Sequence, residues 1–193
     1  MTSIQTTLRN SLLLAMPHIS DPRFCGTVIY LCAHDERGAM GLIINRPLNI
    51  NTTDLFACID VPGKRMQRKK NCPERIFMGG PVSMGSSFVL HSYTGALDPD
   101  SSLAITGDIA LTSSRSILAD IALDKGPSQV LISLGCSSWG PGQLEQELCN
   151  NSWLNGAADK TLLFSTPAEQ RLEVAAARVG VTLSLISTEA GHA

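Results

Sequence analysis

Short apolar runs, interrupted by proline and glycine, predict a set of strands in the first half of the chain. The run at 26–35 is apolar at consecutive positions, which is typical of a strand covered on both faces. Shorter runs at 11–17 and 41–47 each end at a proline, which cannot continue a central strand. Gly38 and Gly41 allow a tight turn between the runs at 26–35 and 41–47, so these two are expected to form an antiparallel hairpin.

The rest of the chain alternates further apolar runs with segments of helical spacing. Strands are predicted at 75–82, 86–92, 103–112, 128–135 and 161–167, and helices at 49–59, 113–126, 140–151 and 167–180. Thr52 or Thr53 is expected to cap the first helix. Thr166 and Glu169 fit a capping box before the last one. Strands dominate early and alternate with helices later, which favours an α+β domain over a doubly wound fold.

Length and composition narrow the class of protein. A chain of 193 residues, 44% hydrophobic and 17% charged, is expected to form a single domain over residues 1–193. The net charge of −2 argues against a protein coated in basic surface for nucleic acid. We find neither a secretory signal nor an apolar stretch near the roughly 20 residues of a membrane helix. The six cysteines form no C-x-x-C pair and no nucleotide fingerprint is present, so a cytoplasmic protein without metal or cofactor is predicted.

Several motifs recur in order along nearly the whole chain. They are LLLAMPHISDPRFCGTVIYLCAHDERGAMGLIINRP, FMGGPV with FVLH, a Ser-Arg-x-Ile-Leu helix, LGCSSWGPGQLEQEL with NSWL, LLFSTPAEQR and the closing AGHA. In this combination the chain resembles the AlgH/YqgE family of bacterial proteins. The resemblance implies an α+β fold with a bent mixed or antiparallel sheet, partly barrel-like and surrounded by helices. For function it implies a link to the regulation of transcription or of exopolysaccharide (alginate) synthesis, and no particular reaction.

The stretch LGCSSWGPGQLEQEL joins a predicted strand to a predicted helix and could be catalytic or structural. A thiol at Cys136 would feel the positive end of the helix dipole, which lowers a thiol pKa. The G-x-S-x-G spacing of a nucleophile elbow is not met, because Trp139 occupies the second glycine position. A structural joint packed by Trp139 is therefore favoured, and no catalytic residue is assigned. Gly140, Gly142 and Gln143 would then present polar groups to a cleft.

Loops at the ends of several strands predict a shared cleft for a small anionic ligand. Arg23 and Arg46 carry planar guanidinium groups that suit a carboxylate or a phosphate, and His91 could add a proton-transfer group. The residues predicted to line the cleft are Arg23, Asn45, Arg46, Gly79, Gly80, His91, Gly140, Gly142 and Gln143. The alternative is structural: Asn45 caps a turn, and the two arginines hydrogen-bond to loop carbonyls.

A basic cluster lies in the loop at 61–74. It consists of Lys64, Arg65, Arg68, Lys69 and Lys70, which could contact nucleic-acid phosphates. No aromatic residue is interleaved for base stacking, so nucleic acid is not the favoured partner.

These observations leave two classes of function open. The favoured hypothesis is a non-catalytic binding or regulatory protein that acts through a protein partner or a small anionic ligand. The alternative is an enzyme or ligand binder that uses the predicted cleft. It requires Arg23 and Arg46 to lie on the same face of the molecule.

Overall fold

Strands and short helices alternate along residues 7–57, 73 and 75–181, the part of the chain that the computed structural model describes. The strands are β1 (Ser11–Ala15), β2 (Val28–Asp35), β3 (Gly38–Ile43), β4 (Pro47–Asn51), β5 (Arg75–Met78), β6 (Val82–Ser92), β7 (Ser102–Ala104), β8 (Ile109–Thr112), β9 (Val130–Trp139) and β10 (Trp153–Ala157). The helices are α1 (Thr52–Ala57), α2 (Arg115–Ala122), α3 (Gln143–Cys149) and α4 (Arg171–Arg178). A π-helical turn covers Thr161–Ser165 and a 3₁₀ turn covers Ala168–Gln170.

The ten strands of the described residues form one curled sheet that is mostly antiparallel. Its main path runs β10-β1-β2-β3-β9-β6-β8-β7, while β5 pairs in parallel with β9 and antiparallel with β4. This half-barrel arrangement confirms the predicted α+β class and the bent, mixed sheet. The hairpin of β2 and β3 is also confirmed, with Asp35 opposite Gly38 at its tip.

The long strand β9 joins the two parts of the sheet. Its first half pairs with both β5 and β6, and its last residues pair with β3. Gly135 lies near the middle of β9 with a φ of +71°, a left-handed conformation that favours glycine. A Cβ there would lie 2.5 Å from the carbonyl oxygen of Gly80, so the close approach of the two backbones also requires glycine.

Successive residues of β1 and β2 bury their side chains on opposite faces of the sheet. Leu12 and Tyr30 belong to the core that α4 and the π-helical turn cover, whereas Leu13 and Ile29 belong to the core that α3 covers. Each such buried side chain contributes about 1.5–3 kcal/mol. The run at 26–35 is therefore covered on both faces, as predicted. Among the helices of the described residues, none has the length and apolar character that crossing a bilayer requires.

The strand predicted at 161–167 is wrong, because this segment forms the π-helical turn instead. Leu162 and Leu163 are adjacent and both pack into the same core, whereas a strand would send them to opposite faces. The carboxylate of Asp159 accepts the backbone N–H of Leu162 at 2.8 Å and starts the turn. A short apolar run of this kind fits a buried strand or a helical turn equally well.

Other element boundaries differ from the predictions. The strand predicted at 103–112 is two antiparallel strands, β7 and β8, separated near the predicted bend at Gly107-Asp108. Strands β4 and β10 were not predicted, since their sequences PLNIN and WLNGA are short and partly polar. The helix predicted at 140–151 is α3, which begins only at Gln143 because β9 continues through Trp139.

Two of the predicted helix caps are also wrong. Asn51, not Thr52 or Thr53, closes the start of α1: its side chain accepts the Asp54 N–H at 2.9 Å. The Thr166 hydroxyl donates to the carbonyl of Thr161 instead of accepting a backbone N–H from the following helix.

Candidate anion-binding site

The side chain of Arg46 binds the loop between β1 and β2. Its Nη1 donates to the carbonyls of Pro22 and Arg23, both at 2.8 Å, and its Nη2 donates to the carbonyl of Cys25 at 2.6 Å. Asn45 acts in the same way, because its Oδ1 accepts the Val28 N–H while its Nδ2 donates to the Gly26 carbonyl, each at 2.9 Å. These contacts correspond to the structural alternative for both residues, and they leave Arg46 few donors for an anion.

Arg23 is part of this loop and its carbonyl accepts from the Arg46 side chain, so the two predicted arginines are on the same face. Its guanidinium pairs with Asp21, with Nη2 and Oδ2 2.7 Å apart, and it also stacks near the ring of Phe24. Hydrogen bonds from Arg23 lower the pKa of the half-buried Asp21 carboxyl. An anion at Arg23 would therefore have to compete with an ionised carboxylate from the same loop.

Gly79 and Gly80 serve the close packing of the chain against β9. A Cβ at Gly79 would lie 2.2 Å from the carbonyl oxygen of Gly135, and one at Gly80 would lie 2.3 Å from the carbonyl carbon of Cys136. The N–H of Gly79 donates to the Leu134 carbonyl at 2.8 Å. These glycines hold the chain against the centre of the sheet, and Gly79 has no free N–H for a ligand.

At the strand-to-helix joint, Gly140, Gly142 and Gln143 bond to one another and to α3. The Oε1 of Gln143 accepts the Gly140 N–H at 3.0 Å, and Gly142 takes a φ of +72° where α3 begins. Cys136 lies inside β9, and its thiol is buried. Burial raises its pKa, which is opposite to the lowering expected from a helix dipole.

Glu147 of α3 fixes this joint by binding two tryptophans. Its Oε2 accepts the indole N–H of Trp139 at 2.9 Å and that of Trp153 at 2.7 Å. Its Oε1 accepts the side-chain amide of Gln143 at 2.9 Å. The two indole rings meet edge to face, with centroids 6.0 Å apart. The motif around 134–148 is thus a hydrogen-bonded structural unit, in which Glu147 was not singled out from the sequence.

His91 is buried on β6 and starts a chain of hydrogen bonds. Its Nδ1 lies 3.0 Å from the carbonyl of Ser92, which can only accept, so Nδ1 carries the proton. Its Nε2 therefore accepts from the Thr112 hydroxyl at 2.8 Å, and that oxygen in turn lies 2.8 Å from the hydroxyl of Ser102. Burial lowers the pKa of His91 and favours the neutral ring. These residues line a cleft of about 430 Å³, here named the His91 cleft, whose lining does not include Arg23, Asn45 or Arg46.

Arg171, at the start of α4, is the most buried arginine described. Only 5% of its surface is exposed. Arginine is almost never buried to this extent unless its charge is paired. Its Nε donates to the Thr166 carbonyl at 2.9 Å, its Nη1 donates to the carbonyl of Ile44, and its guanidinium carbon lies 5.1 Å from the ring centroid of Phe77. Its Nη2 has no hydrogen-bond partner among the described residues but keeps some solvent exposure.

Arg171 lines the largest of the clefts described here, at about 720 Å³, named below the Arg171 cleft. Its lining comes from β5, the start of β9 and the segment between the π-helical turn and α4: Pro73, Arg75, Phe77, Ser128, Gln129, Val130, Leu131, Phe164, Ser165, Thr166, Pro167, Ala168, Glu169 and Arg171. Arg75 pairs with Glu169 at its rim. With this pair neutralised, the described ionisable groups of the lining leave one net positive charge, that of Arg171.

Burial lowers the pKa of the Arg171 guanidinium to about 10, and the nearby Glu169 carboxylate acts in the opposite direction. The group is still charged near neutral pH, yet no described carboxylate forms an ion pair with it. Such a charge is stabilised when an anion supplies the missing counter-charge. Arg171 is not among the residues predicted for the site, although it lies on the buried face of its helix together with Ala168 and Ala175.

The basic cluster Lys64, Arg65, Arg68, Lys69 and Lys70 lies outside the described residues. At the hairpin tip, His34 accepts the Leu8 N–H at 3.0 Å through Nδ1, and its Nε2 lies 2.8 Å from a carboxylate oxygen of Glu145. Within the described ranges, no three His, Cys, Asp or Glu side chains are grouped so that they could hold a metal ion.

Comparison with known proteins places these features in a family. A family described as AlgH-like matches residues 12–184 of the chain. UPF0301 proteins of Burkholderia cenocepacia and Burkholderia ambifaria are each 43% identical over 99% of this chain and 98% of their own length.

Two solved structures are similar as well. The solution structure of the AlgH protein from Pseudomonas aeruginosa is 43% identical, covers 100% of both chains and gives a TM-score of 0.77. A crystal structure of a protein from Corynebacterium diphtheriae is 20% identical over 86% of this chain and 83% of its own, with a TM-score of 0.63, which shows a shared fold alone. On the family match and the 43% identity over whole chains, the protein belongs to the AlgH-like family, as its motifs predicted.

Proposed function

We propose that the protein is a non-catalytic binding protein whose ligand is a small anion held at Arg171. The observation that carries this proposal is the buried guanidinium, which faces a cleft with unused donors and without a paired carboxylate. Arginine suits a carboxylate or phosphate because its planar fork donates two parallel hydrogen bonds. The proposed ligand is still a small anion, as predicted, but the residue that binds it is Arg171 instead of Arg23 and Arg46.

The lining of the Arg171 cleft supports binding rather than catalysis. Its described residues include no histidine and no cysteine, and the carboxylate of Glu169 is paired with Arg75. A general base must be free to take a proton from the reacting group. The aromatic rings of Phe77 and Phe164 give the cleft an apolar part beside its cation, a combination common in ligand sites.

Anion binding can be measured directly with inorganic phosphate and with succinate as probes, by calorimetry and by amide shifts in ¹H–¹⁵N spectra. Hydrogen bonds to a charged group are worth about 1.5–3 kcal/mol. Replacing Arg171 by lysine keeps the charge and removes the fork, so we expect binding to weaken by roughly 10-fold to 100-fold. Arg178→Gln is the matched control, because Arg178 lies on the same helix and pairs with Asp159 instead.

Because Arg171 is buried, its variants need an independent check. Arg75→Gln changes an exposed side chain at the rim, so the fold should persist while anion affinity falls by a smaller factor. Equal affinity of the unmodified protein, Arg171→Lys and Arg75→Gln for both probes would rule out this site.

We further propose that occupancy of this cleft is the input to a regulatory role in the cytoplasm. Regulation of transcription or of exopolysaccharide synthesis, which the family resemblance implies, would then pass through a protein partner that distinguishes the filled cleft from the empty one. Free thiols at Cys32 and Cys136 fit a reducing compartment. A partner captured from cell extract only when phosphate or succinate is present would support this mechanism.

A further inference from the structure

We infer that the His91 cleft is a second binding site, for a neutral polyhydroxylated ligand such as a monosaccharide. The cleft is formed by β6, β7, β8 and α2, on a different part of the sheet from Arg171. Its volume of about 430 Å³ lies within the roughly 300–1,000 Å³ usual for small-molecule sites. The inference does not depend on anion binding, because the two clefts share only Ser128 in their linings.

The chemistry of the lining is dominated by hydroxyl groups. Besides Tyr93, it contains eight serines and threonines, from Ser92, Thr94, Ser101, Ser102, Thr112, Ser114, Ser116 and Ser128. A hydroxyl both donates and accepts, so such a surface matches a ligand whose groups also do both. A phosphate or a carboxylate, which only accepts when ionised, matches it less well.

The buried part of the site orients these hydroxyls. Nδ1 of His91 is fixed by the Ser92 carbonyl, so its Nε2 accepts from Thr112, whose oxygen then accepts from Ser102. This order leaves the lone pairs of the Ser102 oxygen as acceptors on the half-buried side of the chain. A ligand hydroxyl can therefore donate to Ser102.

The exposed part of the site supplies charge and an apolar surface. Asp120 has no side-chain partner among the described residues, whereas Asp98 accepts the hydroxyl of Ser101 at 2.7 Å. Two carboxylates and the ammonium of Lys125 give the lining a net charge of −1 when His91 is neutral, which repels an anionic ligand. The ring of Tyr93, held by a 3.0 Å hydrogen bond to the Thr106 carbonyl, offers an apolar face for the C–H groups of a sugar.

The test uses the full chain and D-glucose as the probe, with D-glucuronate as its anionic counterpart, in ¹H–¹⁵N titrations. Glucose should shift amides that line the His91 cleft, and glucuronate should bind several-fold more weakly. Asp120→Asn removes a charged acceptor and should weaken glucose binding by about fivefold. Asp124→Asn, just outside the lining, is the matched control and should leave affinity unchanged.

Three results would overturn the inference: no localised shifts with glucose, shifts that map to another surface, or glucuronate binding as tightly as glucose. Ser102→Ala gives an independent check, since it removes only the last hydroxyl of the buried chain and should also weaken glucose binding. Unchanged affinity in both Asp120→Asn and Ser102→Ala would equally refute the site.

Discussion

Replacing Glu147 by alanine tests whether the joint between β9 and α3 depends on one carboxylate. The change removes the acceptor of two indole N–H groups, from Trp139 and Trp153, which are each only 5% exposed. A buried donor left without a partner costs about 1–3 kcal/mol, so two cost roughly 2–6 kcal/mol. Glu147 itself is half-buried, and water can reach part of the space it leaves, so we expect about 3 kcal/mol.

The assays are urea unfolding and thermal unfolding, each followed by circular dichroism and by tryptophan fluorescence. Trp139 and Trp153 are the two tryptophans of the chain, so the emission reports this joint directly. In a chain of this length 1 kcal/mol shifts the midpoint of thermal unfolding by roughly 2–4 °C, so the variant should melt about 6–12 °C lower. Its native emission should also change, because both indoles lose their acceptor.

The control is Gln146→Ala on the same helix, whose side chain bonds to Asn150 at the surface. We expect it to cost less than about 1 kcal/mol. If Glu147→Ala costs no more than Gln146→Ala, or if native emission is unchanged, the carboxylate does not hold the joint and the reasoning fails.

Three further predictions concern other parts of the molecule. Burial lowers the pKa of His91 in the folded protein, so the unfolded chain binds a proton more readily. The contribution of the neutral His91 ring to stability is therefore full above the ordinary pKa of about 6.5. This contribution is lost as pH falls through the lower pKa of the folded state. Urea unfolding one pH unit above and below about 6.5 should therefore show a steeper acid loss in the unmodified protein than in His91→Gln; parallel slopes would contradict this. Gly80→Ala should destabilise by more than about 2 kcal/mol, because its Cβ would overlap the backbone of β9, whereas Gly95→Ala, with open space around it, should be nearly neutral; equal unfolding midpoints would disprove the packing argument. In native labelling followed by mass spectrometry, the exposed Cys149 should react before the buried Cys136, whose raised pKa also opposes thiolate formation; the reverse order would be incompatible with the structure.

The strands that the sequence predicted best are those whose apolar residues are consecutive. β1 and β2 are buried on both faces, so their sequences are apolar at consecutive positions, a pattern that predicts a buried strand. β4 and β10 contain asparagine, glycine or proline and gain their strand conformation from a neighbour, through β5 and β1 respectively. Pairing of this kind depends on tertiary contacts that no local pattern contains.

The candidate site was harder to predict because its parts are distant in sequence. Arg23 and Arg46 were predicted to bind the anion, yet the Arg46 side chain binds carbonyls of the loop between β1 and β2. Arg171 carried a weaker but more specific signal, a cation in the alanine-rich face of α4. A charged residue on the otherwise apolar face of a predicted helix is thus a signal for a buried site residue.

The place of β9 in the sheet has a consequence for folding kinetics. The unit of β1, β2 and β3 depends on β10 for one of its edges and on β9 for the other, and both partners come more than 85 residues later in sequence. A ribosome-bound chain that has emerged only through β3 would expose two unpaired strand edges and both apolar faces of this unit. Chains in that state are prone to aggregation. The rate-limiting step of folding should then be the docking of β9, and substitutions at Gly135, where β9 takes its left-handed conformation, should slow refolding more than they speed unfolding.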